Sequence, residues 1–445
     1  MKKRKDLGNI RTTRRRFVKN SVIASGALVL PHFAVQGMFH EAKDTQLKIA
    51  LVGCGGRGTG AASQALKADE NVVLVAMADA FENRLKDCHA TLYKEFEGTK
   101  KLAVPEKNKF VGFEAAKKAI DLADVVILAT PPGFRPEHFE YAIAAGKHVF
   151  MEKPVATDVP GVRKVLAAAK LAKEKKLNVV VGLQRHYQNN YIEVAKRLHA
   201  GEAGTIVSGQ VYWNSGGVWV NERQPGQSEL EYQMRNWYYF NWLCGDHILE
   251  QHIHNIDVAN WFLNEYPVSA QGMGGRQVRT GKEYGEIFDH HFVEFTYPSG
   301  AVISSQCRHQ PNTMYKVGES FQTTKGIIEM KDAGTATITG FNGEKLFTYR
   351  TEKGHNPYQE EHYRLFESIR NGGVIADAEN GAKSTLTAIM GRMATYSGKV
   401  IDWEAAMQSN LALVPEDITW NSTPPVVPDE QGFYKIPTPG ETEVF

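Results

Sequence analysis

Between Cys244 and Phe262 the chain places His247, Glu250, His254 and Asp257 at spacings of three or four residues. Wound as one helix at about 100° per residue, the four fall on a single narrow face, with His252 pointing elsewhere. Apolar residues at 248, 249, 253, 256, 259 and 262 approximate helical spacing, so the helix is expected to pack into a core. Unpaired charge on a buried face is costly. An acid–imidazole series there is equipment for acid–base chemistry, with Asp257 able to bond His254 and fix its tautomer. Two other readings share the spacing. His247-x-x-Glu250-x-x-x-His254 also suits a divalent metal on one helix, and the face can be a purely structural polar seam. No metal ligand is assigned.

Such groups need an element that delivers a reaction partner. Lys48–Val52 is a short apolar run that ends in Gly53-Cys54-Gly55-Gly56-Arg57-Gly58, and a helical stretch follows to Ala68. This places G-x-G-x-x-G (Gly53, Gly55, Gly58) at a strand-to-helix turn, the position of a dinucleotide fingerprint. The first glycine permits the tight turn, the second lets backbone approach a pyrophosphate, and the third lets helix and strand pack closely. Gly56 and Arg57 complete the loop, whose helix N-terminal N–H groups would hold the phosphates. A second apolar strand, Val72 to Asp79, ends in a carboxylate about 20 residues past the last glycine. Asp79 would accept the ribose hydroxyls and repel a 2′-phosphate, favouring NAD; Arg84 nearby leaves NADP open.

A third buried run, Val125–Ala129, leads into Thr130-Pro131-Pro132. A helix with His138 near its start follows, then Ala145-Gly146-Lys147-His148-Val149 and Glu152-Lys153-Pro154. In this order the segments resemble the glucose–fructose oxidoreductase, inositol dehydrogenase and rhizopine-catabolism family (Gfo/Idh/MocA), over most of residues 47–410. The resemblance implies that Thr130 and Pro131 border the nicotinamide ribose. Glu152 would touch the ribose hydroxyls, and Lys153 would reach both the nicotinamide side and a substrate hydroxyl. A lysine that sheds water there can relay a proton. In the family a strand matching Val179–Tyr187 passes beside the cofactor, which nominates Gln184 and Arg185 for the cofactor and Tyr187 for the substrate; Arg185 can equally be a salt bridge at the domain seam. The family's helix carries Asp-x-x-x-His, the His as general base and the acid orienting sugar hydroxyls. Glu250 and His254 stand at those positions, with Glu replacing the usual Asp and His252 where glycine is common. His247 and Asp257 are nominated as further substrate contacts. Aromatic side chains crowd residues 213–242, and Trp237 and Tyr239 are candidates for a sugar-stacking platform.

The remaining pattern gives the fold class: an α/β Rossmann domain over 45–155, then an α+β domain over 156–410. The second domain has about six antiparallel strands forming an open-faced sheet backed by helices. Its open face suggests a homo-oligomer. From Pro415 onward six prolines in 31 residues indicate an extended arm, so 411–445 reads as a tail.

Charge is distributed unevenly. The 445 residues carry a net charge of +2, yet residues 1–20 hold nine Lys/Arg against Asp6 alone. Arg14-Arg15-Arg16-Phe17-Val18-Lys19 and the apolar run from Ser21 to about Val35 resemble a twin-arginine export signal, so residues 1–40 read as a leader recognised by that export machinery. The destination would be the periplasm, with the leader either cleaved or retained as an anchor. Without residues 1–37 the chain is acidic, at −6, and no basic patch for nucleic acid remains. Four dispersed cysteines exclude a disulfide framework or a cysteine zinc site.

Together these features imply an NAD-dependent oxidoreductase acting on a secondary hydroxyl of a sugar, glycoside or cyclitol, with the cofactor tightly bound. Export adds a second reading, because free NAD is scarce outside the cytoplasm. It is a redox-neutral glycosidase or lyase that recycles a bound NAD within each turnover. A non-catalytic sugar sensor is a third, disfavoured by the joint presence of Lys153, Glu250 and His254.

Overall fold

A computed structural model describes residues 45–331 and 334–445. The leader, and with it the export reading, lies outside the described residues. Among the described residues no helix is long and apolar enough to cross a membrane.

The first layer is a parallel sheet. Its elements are β1 (Leu47–Val52), α1 (Gly56–Ala68), β2 (Val72–Asp79), α2 (Glu82–Glu95), β3 (Lys109–Val111) and α3 (Ala115–Asp121). β4 (Val125–Leu128), α4 (Arg135–Ala144), β5 (His148–Met151), α5 (Val159–Glu174) and β6 (Val179–Val181) complete it. The strand order is β3-β2-β1-β4-β5-β6, every pair parallel. All of β4 and most of β1 are buried, as continuous apolar runs must be when helices cover both sheet faces. The order reverses between β1 and β4, which opens a crevice at their C-terminal ends. The unit extends past the expected boundary at 155: the crossover helix α5 carries the chain back to add β6.

The second layer begins with α6 (Asn189–His199), β7 (Ile206–Ser215), α7 (Glu229–Arg235), α8 (Asn241–Cys244), α9 (His247–Glu250) and α10 (Ile253–Leu263). Seven strands follow: β8 (Ser269–Gly275), β9 (His290–Thr296), β10 (Val302–His309), β11 (Lys316–Thr323), β12 (Gly326–Lys331), β13 (Thr335–Gly340) and β14 (Lys345–Arg350). α11 (Pro357–Arg370), α12 (Ala378–Ser397), β15 (Ile401–Asp402) and α13 (Trp403–Met407) close the unit. The sheet has nine strands in the order β14-β13-β12-β11-β7-β10-β9-β8-β15. It is largely antiparallel, as expected, with one parallel pair, β7 and β10, at its centre. β8 escapes a hydrophobic-pattern reading because three of its seven residues are glycine. A Cβ at Gly272 would stand 2.4 Å from the Phe292 carbonyl oxygen, and one at Gly274 2.7 Å from that of His290.

The single helix expected over 244–262 is also not formed. Gly245 (φ +77°) and Asp246 (φ +72°) terminate α8, and the chain breaks again at Gln251-His252 before α10. Apolar periodicity persists through the breaks, so it conceals them. The tail, 411–445, carries no helix or strand but is held by side chains: the Leu413 N–H donates to Asp158 (2.7 Å), and Gln233 donates to the Val426 carbonyl (2.7 Å).

The fingerprint turn is sterically closed. Gly53 has φ +97°, and a Cβ at Gly58 would lie 1.9 Å from the Gly53 carbonyl oxygen. Gly58→Ala is therefore expected to lower stability by about 1–3 kcal/mol and to weaken dinucleotide binding. Gly56→Ala, whose Cβ meets nothing within 4 Å, should keep the wild-type melting temperature. Thermal unfolding and nucleotide titration of both variants check this.

Candidate active site

A cavity of about 590 Å³ runs from the β1–α1 turn to α9 and α10. At one end Gly55 and Gly56 face it with open space where a Cβ would stand. Asp79 lines the same end. Its carboxylate accepts the Cys54 N–H (2.7 Å) and the Phe81 N–H (2.8 Å), so it also staples the turn. Burial pushes its carboxyl up, against those two hydrogen bonds. Arg57 pairs with Glu152, donates to Gln64 (3.0 Å), and keeps a buried Nη2 without a hydrogen-bond partner. Thr130 and Pro131 line the middle, the Thr130 hydroxyl 3.3 Å from His138 Nδ1. A glycine floor, an acid at the end of β2 and an unpartnered guanidinium nitrogen suit a dinucleotide: backbone and cation for phosphate, carboxylate for ribose hydroxyls.

At the other end Lys153, Glu250 and His254 come together. Lys153 Nζ donates to Glu250 Oε2 (2.7 Å) and to the Glu250 carbonyl, and both side chains are largely buried. His254 lies on Trp213, ring centroids 5.9 Å apart, and its Nδ1 is buried without a partner. Burial, reinforced by the Lys153 ammonium, holds its pKa well below the usual imidazole range. His254 is therefore neutral at neutral pH and has a nitrogen lone pair with which to take a proton. Trp237 and Trp219 line the wall above.

Six nominated residues lie elsewhere. Arg185 is paired with Glu319 (2.5 Å) in a buried cluster completed by Asn255 and Tyr191, so it serves the core rather than a cofactor. Gln184 is buried next to it, off the cavity wall. The Tyr187 hydroxyl donates to Asp377 (2.7 Å). That of Tyr239 donates to the Trp219 carbonyl (2.9 Å), placing Tyr239 behind the aromatic wall. Asp257 binds His186 Nε2 (2.7 Å), Ser384 (2.7 Å) and Asn380 (3.0 Å) instead of His254. His247 turns to Asp246 (2.7 Å), because the break at Gly245-Asp246 rotates α9 away from the assumed helical face. The spacing His247/Glu250/His254 thus gathers no shared metal site.

Some lining residues carry no local signal. Gln251 reaches the cavity through the second helix break, while Asn221 and Arg235 come from the β7–α7 segment and its helix. Tyr358 arrives from α11, about 300 residues after the glycine loop, beneath the Arg57 guanidinium at 5.1 Å.

A dinucleotide groove ending at a neutral imidazole and an ammonium–carboxylate pair defines a nicotinamide-dependent oxidoreductase. Known proteins agree. Residues 47–183 match the oxidoreductase family with an NAD-binding Rossmann fold, and residues 191–329 match the GFO/IDH/MocA C-terminal domain. The chain belongs to the Gfo/Idh/MocA family of NAD-binding oxidoreductases. It is 22% identical over 280 residues to an inositol 2-dehydrogenase of Rhizobium meliloti (strain 1021), spanning 61% of this chain and 78% of that protein. Aldose-aldose oxidoreductase from Caulobacter crescentus, complexed with glycerol, shares the fold with a TM-score of 0.63 at 20% identity, over 80% of this chain and 99% of that one. Scyllo-inositol dehydrogenase from Lactobacillus casei, with bound NAD(H) and scyllo-inositol, superposes with a TM-score of 0.60 at 19% identity, over 81% and 100%.

Buried imidazoles make the fold acid-sensitive. Burial depresses His138 and His247 to about 4 and His362 to about 3, from an ordinary 6.5. Below pH 6.5 the unfolded chain binds protons that the folded chain refuses. Stability is thus fully present above about 6.5 and falls toward pH 4, by on the order of 1.4 kcal/mol per unit for each group. Denaturation midpoints measured from pH 8 to 4 should be flat, then drop; a midpoint constant from 7 to 5 contradicts this.

Proposed function

We propose that the protein oxidises a secondary hydroxyl of a sugar, glycoside or cyclitol. The observation that carries this is the Lys153 Nζ–Glu250 Oε2 contact of 2.7 Å beside a neutral His254, on the wall of the dinucleotide cavity. When bound, NAD supplies the hydride acceptor. His254 takes the hydroxyl proton, and Lys153 holds the oxygen as negative charge develops on it. Glu250 fixes the Lys153 ammonium and offers its other oxygen to a neighbouring hydroxyl. Trp213, Trp219 and Trp237 give the apolar C–H faces of a ring something to rest on. The scyllo-inositol bound to the Lactobacillus casei dehydrogenase supports a polyol of this class. Lys153→Met and His254→Asn are each expected to lower kcat/KM by about 10²–10⁴-fold while leaving NAD affinity within a few-fold. A panel of glycosides, free sugars and inositols assayed with product identification provides the readout; undiminished turnover in either variant removes the assignment.

The redox-neutral reading is favoured by how one wall of the groove is braced. Trp420, from the tail, packs on Phe81 (5.3 Å) and Phe113 (4.8 Å), and Arg235 stacks on Phe81 at 4.0 Å. Both phenylalanines line the groove just beyond Asp79; Arg235 of α7 lines that end directly, and Trp420 braces its aromatic wall. A cofactor held against a wall braced in this way would be retained through turnover, as an exported enzyme requires; the basic leader of residues 1–37 supports export, and the open sheet face a homo-oligomer. Trp420→Ala is expected to raise the NAD dissociation rate by at least about tenfold, the worth of some 1.4 kcal/mol of lost packing. Nucleotide retained through gel filtration measures it. Wild-type protein that carries no nucleotide and steadily forms NADH from free NAD leaves net oxidation as the activity.

A further inference from the structure

Arg135, the first residue of α4, stands in the wall of the cavity and is only 4% exposed. Of its three guanidinium nitrogens, Nη1 donates to the Pro154 carbonyl (2.5 Å) and Nε is buried without a partner, so Nη2 is the one left to the cavity. Among the described residues no carboxylate pairs with it. The two that act on it, Glu152 and Glu250, are held by Arg57 and by Lys153. Burial lowers its pKa only to about 10, so the group is still a cation at neutral pH. A buried cation without a counter-ion is costly to keep unless an anion comes to meet it. Cations dominate the potential at this end: beyond burial, Lys153, Arg185 and Arg57 all depress His254.

We propose that Arg135 holds a carboxylate of the substrate, so that the ring acted on is that of a uronic acid or a glycoside of one; this rests on the oxidation at Lys153 and His254 proposed above. One open guanidinium nitrogen matches one carboxylate oxygen in a charge-assisted hydrogen bond. A phosphoryl group is better met at the other end, where the glycine turn presents Gly55, Gly56 and the free Nη2 of Arg57. Lys153 cannot take the carboxylate, because its ammonium is already committed to Glu250. Arg135 is bonded to the residue that directly follows Lys153, so anchor and ammonium suit two substituents of one ring. A guanidinium does not give up its proton at neutral pH, so it orients the ring without competing with His254 as the base. Its contribution is to specificity: a neutral sugar leaves the buried cation unmet, and an acidic one does not.

The test titrates the full chain, loaded with NAD, with the methyl glycosides of glucuronic, galacturonic and mannuronic acid. Each is paired with its methyl ester, which keeps the shape and removes the charge. At least one acid is expected to bind about tenfold or more tighter than its ester. Arg135→Gln should abolish that preference while NAD affinity stays within a few-fold, and Arg135→Lys should keep part of it. No acid preferred over its ester overturns the proposal, as does an Arg135→Gln protein that keeps the preference or that loses NAD instead. The wild-type comparison needs no variant and decides where Arg135→Gln does not fold. Turnover, followed separately, keeps the two readings apart. Acid-selective binding without turnover leaves the subsite and removes the activity, and equal turnover of acid and ester does the reverse.

Discussion

Lys153 leaves the C-terminal end of β5, Glu250 closes the short helix α9, and their ion pair crosses from the parallel sheet to the mixed one. Two groups this buried give up much of their hydration, so the pair adds little net stability over an apolar contact. What it contributes is position. The ammonium can satisfy the Glu250 side chain and carbonyl together only if α9 sits at one height over the cavity, and that height also places His254 one turn onward. The geometry of this end of the cavity and the domain register are therefore one constraint, which explains why so costly an interaction is built into the seam.

Keeping that register requires a rigid partition, and α12 provides it. Seventeen of its twenty residues are buried, because it passes between the two sheets and packs on α5, β6, β8 and β9. Small residues make the passage possible. A Cβ at Gly381 would press on Val181, and one at Gly391 on Ile248 and Phe295. The same helix supplies Ser384 to Asp257, Thr395 to His291 and Tyr396 to Asp246. It thereby holds the polar back of the α9–α10 segment while the front faces the cavity.

How much of this was legible in the sequence follows from the range of the interactions. The β1–α1 turn, Asp79, Thr130-Pro131 and Glu152-Lys153 are read locally, since strand, turn and helix lie within a few residues of each other. Glu250 and His254 were legible as a pair because they keep their place beside Lys153 despite the helix break. Tyr187 and Asp257 were not, because each is claimed by a partner far along the chain, Asp377 and Ser384. For Arg185 a salt bridge is one of two readings, but spacing does not name its partner, Glu319. A buried charge goes to whichever opposite charge or donor the fold brings closest, and spacing on one helix carries no information about that. The second sheet was legible strand by strand except at β8. There glycine serves close backbone approach, and the alternation that marks a strand disappears.

The break at Gly245-Asp246 gives a single stretch of sequence two chemical faces. A continuous helix would have aimed His247, Glu250, His254 and Asp257 into one cavity, crowding two imidazoles and two carboxylates around a substrate. Asp246 adopts φ +72°, a conformation unfavourable for a residue with a Cβ, and its carboxylate recovers that cost by accepting the N–H and Nδ1 of His247. His247 is thereby drawn backward into the core, and Glu250 and His254 remain forward. The strain at one residue separates groups that hold the scaffold from groups that line the cavity. It also leaves His254 Nδ1 with no carboxylate bonded to it, and burial, reinforced by the Lys153 ammonium, keeps the imidazole in the neutral form that the proposed base needs.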